Sequence, residues 1–306
     1  MKTMVNAAAK HGSQRGIALI MVLMLAAVIS TVITVYQYKS RANITTAQQA
    51  KNNLLARAAV ESVKEELVFE LMTTPLWVER PNKARIAELG LPESFNFWGR
   101  PFTWQNATIQ IYDTSGMISV HPFEPRVWLN FLTSFNVTEP DHVVAALQDW
   151  FDEDDFLHLN GAEKQDYAQE GLPRNGLPQT ADELALVKGL DKDWQRLAPY
   201  ITFLGSSVIN FDFSPAGLLP TLLGDYRAEQ FIAIRDGAEP DATNDLMIER
   251  AEEMAVYLSR RLKITIDITI ENAAYRQSFV LIKSNSAKRV SYIAEKQPGY
   301  IGTETK

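Results

Sequence analysis

Apolar and polar positions divide this chain into a greasy N-terminal run, a long amphipathic continuation, and a body that mixes strand and helix patterns. From Ile17 to Tyr36, 20 residues carry no charge. At ~1.5 Å per residue, a helix of that length spans roughly 30 Å, the thickness of a bilayer core. Ala, Leu, Gln, Lys and Glu carry the pattern onward, with no Gly or Pro between Ile17 and Thr74. The run predicts one long helix, apolar in its first half and amphipathic in its second. Residues 73–102 are rich in Pro and Gly and predict a loop with a short helix. In ATIQIY the two kinds of residue alternate, DTSG is a turn and MISV resumes the strand pattern, which predicts a hairpin. From about 123 to 260 the pattern is helical, in short pieces such as TADELALVKGL, DKDWQRLAPYI and NDLMIERAEEMAVYLSRRL, separated by Gly, Pro, Asn or Asp. Three strands are predicted at the end, KITIDITIEN, AYRQSFVLIKSN and AKRVSYIAEKQ, with turns around Asn272 and Asn285. Ile264, Ile266, Ile268 and Ile270 fall on one face of the first, and Thr265, Asp267 and Thr269 on the other, as in a half-buried antiparallel strand.

Each strand set is small for an independent sheet. Pairing them leaves the helical block as an insertion, and the sheet's apolar face can pack on the second half of the long helix. The expected fold is α+β: a long N-terminal helix on an antiparallel sheet, with a large inserted α-helical domain.

Charge changes the picture in two ways. Residues 1–60 hold seven Lys/Arg and no acid, leaving 23 Lys/Arg against 37 Asp/Glu, a net of −14, for the rest. A body this acidic is a poor nucleic-acid binder and a fair binder of cations. The chain has no cysteine, which excludes disulfides, thiolate metal sites and Cys nucleophiles. Catalysis finds little support: carboxylates are paired, but no Gly-x-Ser-x-Gly turn or phosphate-binding loop accompanies them. The chain is read as a non-enzyme. Leu-Val-Lys-Gly-Leu (186–190) resembles a helix-hairpin-helix turn, but its acidic surroundings make it a packing unit.

The densest chemistry lies in residues 141–170, which hold nine acids and one Lys. Carboxylates so crowded repel one another unless a cation or solvent intervenes. Ca²⁺ takes six to eight oxygen ligands in irregular geometry, so a folded-back acidic loop suits it. The spacing is not that of an EF-hand. Asp149, Asp152, Asp154, Asp155, Glu163 and Asp166 are the candidate ligands for one or two calcium ions. A solvated acidic loop, or a His/Asp site using His142 or His158, are the alternatives, with both histidines otherwise surface polar residues.

The first 16 residues are short and basic, with Lys2, Lys10 and Arg15, and end in Gly16. This segment, followed directly by the apolar run, resembles a type IV prepilin leader. The resemblance implies cleavage between Gly16 and Ile17 by a prepilin peptidase on the cytoplasmic side. Position five of the mature chain is then Met21, where most pilin-like subunits carry glutamate. The long helix on a sheet is the pilin architecture. Asp149-Trp150-Phe151-Asp152-Glu153-Asp154-Asp155 and Gly161-Ala162-Glu163 are similar to the D-W-x-D-x-D and G-A-E elements of the type II secretion minor pseudopilin K family. Glu183-Leu184 and Val187-Lys188-Gly189 resemble its E-L and V-x-G turn, and SSVINFDFSP (206–215) resembles its I-N-V-N-T-A-S, with Phe211-Asp212-Phe213 as a departure.

The resemblance implies a subunit at the tip of the pseudopilus that helps initiate assembly and export across the outer membrane. It implies a single-pass inner-membrane protein with a periplasmic C-terminal domain, N-methylated at Ile17, with the minor pseudopilins I, J and H as partners. Ala26, Ala27, Ser30 and Thr34 would let partner helices approach closely. The domains expected are a leader at 1–16, a transmembrane part at 17–36, a pilin-like part at 37–122, the helical insertion at 123–260 and closing strands at 261–306. A bitopic, calcium-binding periplasmic protein unrelated to pili is the other reading.

Overall fold

A computed structural model describes residues 14–74, 76, 83–235, 258–283, 290–294 and 299–301. Helix α1 runs unbroken over Gln14–Thr73, as the absence of Gly and Pro beyond Gly16 predicts. It alone among the described helices is long and apolar enough to cross a membrane. In its first half residues 17–39 are all exposed. In its second half Ala56, Val60, Val63, Leu67 and Leu71, spaced three or four apart, are buried.

Those residues pack on one antiparallel sheet. Its path is β1 (Phe102–Trp104), β2 (Ala107–Asp113), β5 (Arg261–Ile270) and β6 (Ala273–Lys283). On the far edge of β6, β7 (Val290–Ala294) pairs with Phe279–Lys283 and β8 (Gly299–Ile301) with Ala274–Arg276. Leu262, Ile264, Ile266 and Ile268 of β5 join Ile109, Ile111, Phe279 and Leu281 in the core under α1. The alternation in β5 is therefore a core face, as expected. Asn52, buried in α1, donates to Asn272 Oδ1 in the β5–β6 turn at 3.2 Å, and Gln277 donates to Glu61 at 3.1 Å.

The expected hairpin between ATIQIY and MISV is not formed. Asp113 accepts from the Ser115 N–H at 2.8 Å, caps a single 3-10 turn at Thr114–Gly116, and turns the chain out of the sheet. Ile118–His121 becomes β3, which pairs in parallel with β4 (Ile201–Leu204), a strand that the helical reading of 123–260 omits. The hairpin lies one step earlier, between β1 and β2, where Gln105 and Asn106 both take positive φ, 51° and 62°. Two such residues form the tight turn whose twist matches the strands. The C-terminal part holds four strands where three were expected, because the last pattern divides into β7 and β8.

Between β2 and β5 the described chain forms α3 (Pro125–Ser134), α4 (Pro140–Phe151), α5 (Trp194–Leu197), α6 (Leu219–Leu223) and α7 (Asp225–Arg235), joined by 3-10 turns. TADELALVKGL is a 3-10 segment over Ala181–Leu186 rather than an α-helix. The helix expected across 244–262 falls mostly outside the described residues, as do the turn around Asn285 and most of the leader. α2 (Lys83–Glu88) is the short helix expected in the 73–102 loop.

A second core forms around Trp128, Phe131, Leu147, Trp150, Leu184, Val187, Leu197 and Ile201. Trp128 Nε1 donates to Ser119 O at 2.8 Å and joins α3 to β3. Asp113, fully buried, holds both chain crossings between sheet and helical block. It accepts from Ser115 on the way out and from the Ser259 N–H on the way back.

Candidate functional site

The acidic segment begins at the C-terminal end of α4. Asp149 lies on the buried face of that helix, three positions before the chain leaves it through the extended backbone of Asp152. Its side chain is fully buried and closes the loop on itself. Oδ2 accepts from the Ala162 N–H at 2.7 Å, and Oδ1 from the His158 N–H at 3.0 Å, with His158 Nδ1 beside it. Gly161 is required at this closure: a Cβ there would stand 1.9 Å from Asp149 Oδ2.

The six candidate ligands separate into two groups. Asp149, Asp152 and Glu163 face inward. Asp149, Asp152 and His158 each offer an atom within 4.8 Å of the others. Buried Asp152 Oδ1 has no hydrogen-bond partner, and the Glu163 carboxylate meets the Asp166 N–H in a capping box without a well-formed hydrogen bond. Burial, then the charges of Asp149, Asp152 and Asp155, push the Glu163 carboxyl above its usual range. Burial, then Asp154 and Asp149, do the same to Asp152, with His158 opposing.

The other three candidates have partners. Asp155 pairs with Lys164 at 2.8 Å and accepts from Asn175 Nδ2 at 2.8 Å, which lowers its pKa. Asp166 pairs with Lys188 at 2.8 Å, which likewise lowers its pKa. Asp154 accepts from the Phe156 N–H at 2.9 Å and fixes the turn. His158, read from the sequence as a surface residue, is half-exposed on the Asp149 carboxylate, while His142 stays on the surface near Glu139 and Asp141. Asn175 had no sequence signal; it reaches the loop only through the fold. Gly16, Ile17 and Met21 lie in α1, with the Ile17 and Met21 side chains exposed.

Asp152 Oδ1 and the Glu163 carboxylate, packed beside Asp149, are short of positive charge, with only the half-exposed His158 near Asp152. A proton or a cation can supply it. A carboxyl group whose pKa is raised by folding binds its proton more readily in the native chain. Its contribution to stability therefore increases as pH falls through the raised pKa towards the ordinary one. In chelator, Glu163→Gln is expected to melt higher than the wild type at pH 7, and that advantage should shrink as pH falls. Thermal melts of the full-length chain at several pH values check this; a gap that does not change with pH contradicts it.

Comparison with known proteins matches residues 108–206 to the family described as type II secretion system (T2SS), protein K. Type II secretion system protein K of Klebsiella pneumoniae is 25% identical over 311 residues, covering 88% of this chain and 93% of the relative. A putative type II secretion system protein K of Escherichia coli K12 is 23% identical over 67% of each chain. Type II secretion system protein K of Pectobacterium carotovorum is 30% identical over 32% of each. The matched span holds β2, β3, α3, α4 and the acidic loop, so the resemblance read from those residues is borne out.

Proposed function

We propose, for a type II secretion component that carries the protein K domain over residues 108–206, that it is a minor pseudopilin seated at the tip of the pseudopilus. The observation that carries the tip position is Met21. The apolar run 17–36 contains no carboxylate, and a tip subunit has no earlier neighbour whose N-terminal amine could pair with one. An unpaired charge in the membrane is costly, so an apolar residue suits that place. The helical block supports the same position, because its bulk would obstruct helical packing inside a filament. α1 anchors the subunit in the inner membrane before assembly, with the body in the periplasm, and then packs on the helices of the partners I, J and H.

Met21→Glu is the test. It should leave export unchanged or reduce it, measured as the fraction of an exported enzyme that reaches the medium. An increase in export would contradict the tip position.

In the acidic loop, Asp149, Asp152 and Glu163 would hold a calcium ion, with loop carbonyls and water completing the shell. The unpartnered Asp152 Oδ1 and the Glu163 carboxylate packed beside it support this. Oxygen donors without Cys favour calcium over softer metals. Asp155 and Asp166 would serve only after leaving Lys164 and Lys188. The ion's role is structural: it would fix the loop on the helical block.

A further inference from the structure

The loop after α4 is anchored on its inner side and turns an apolar edge outward. Asp154 accepts from the Phe156 N–H, Asn175 donates to Asp154 O at 2.7 Å, and the Gly161 N–H donates to His158 O at 2.9 Å. Between these anchors Phe156 is 80% exposed, Leu157 53% and Leu159 89%. Isolated exposed apolar residues are ordinary. Three within four positions on an anchored loop form a patch that marks an interaction surface.

We propose that the Phe156–Leu159 edge docks a partner protein whose surface offers an apolar pocket bordered by Lys and Arg. Charge selects this partner. Glu153 and Asp154 are exposed beside the edge, Lys164, the one Lys or Arg in residues 141–170, is already paired with Asp155, and His158 within the edge is held by Asp149. A second copy would bring the same negative edge, and an anionic lipid surface would be repelled.

The fold also attaches the helical block, which carries the edge, away from the membrane that α1 would cross. β6 runs alongside α1, with Asn272 at Asn52 and Gln277 at Glu61. The start of β5, where the helical block rejoins the sheet, therefore lies beyond Glu61 towards the end of α1. Glu61 is about 37 Å along the helix from Tyr36, at 1.5 Å per residue. This inference does not depend on the tip position or on calcium.

The chain has no cysteine, so full-length Leu159→Cys carries a single thiol. The test compares its rate of reaction with a maleimide in membranes holding the complete secretion machinery and in membranes lacking the other components. The expected result is several-fold slower labelling in the complete membranes, relieved by high salt, while Tyr226→Cys labels equally in both. Equal labelling of Leu159→Cys in both would overturn the proposal. So would slowing of the purified chain with its own concentration, a self-contact, or on phosphatidylglycerol vesicles, a lipid contact. Phe156→Ser with Leu159→Ser should lower export several-fold at an unchanged melting temperature, and Phe156→Leu should preserve it; wild-type export from the double variant would also overturn the proposal.

Discussion

Removing calcium from the full-length chain is expected to lower its melting temperature, and Asp152→Asn with Glu163→Gln to abolish that response. A ligand that binds only the native state at ~100 times its Kd adds about 2.7 kcal/mol. For a chain of this size that is roughly 5–10 °C, at 2–4 °C per kcal/mol. The double variant has a second signature. It removes two inward carboxylates that repel each other and Asp149, so in chelator it should melt at or above the wild type. A merely damaged loop would melt below it. Limited proteolysis gives an independent reading: in chelator the wild-type chain should be cut within 152–161. Identical melting curves in excess calcium and in chelator would leave the acidic segment a solvated surface.

Gly16→Val should block maturation altogether. The prepilin-type reading places the cut directly after Gly16, where the peptidase must accommodate the residue before the scissile bond. A β-branched side chain there obstructs the approach, and the leader then stays attached. Ile17 would lack a free amine, and α1 could not enter a bundle of processed helices. The precursor should accumulate in the membrane at higher mass, and export should fall to the level of a strain without the protein. Normal processing of Gly16→Val would contradict the leader assignment.

The elements that could be read from the sequence are those whose pattern is local. α1 follows from 58 residues without Gly or Pro after Gly16, and β5 from strict alternation of Ile with polar residues. The hairpin was placed wrongly because DTSG has turn composition, while the true turn, Gln105-Asn106, has no glycine to advertise its positive φ. β4 escaped notice because its partner, β3, lies 83 positions earlier by register, and a parallel pair separated by helices leaves no local mark.

The acidic site was half legible for the same reason. Density of charge identified the segment and all six carboxylates. It could not say that Asp166 is neutralised by Lys188, which is 22 positions away and meets it only in the folded chain. Nor could it show that Asp149 turns into the core to hold the His158 and Ala162 amides, with Asp152 and Glu163 crowded against its charge.

How the chain begins after maturation is the most direct test of the pseudopilin reading. Mass spectrometry of the N-terminal peptide, from full-length protein isolated from membranes that contain the complete secretion machinery, decides it. The account predicts a chain starting at Ile17 with an N-methylated amine. A chain that keeps Met1 and all 16 leader residues, in membranes that process the other pseudopilins normally, would contradict it and favour a bitopic calcium-binding protein outside the pseudopilus.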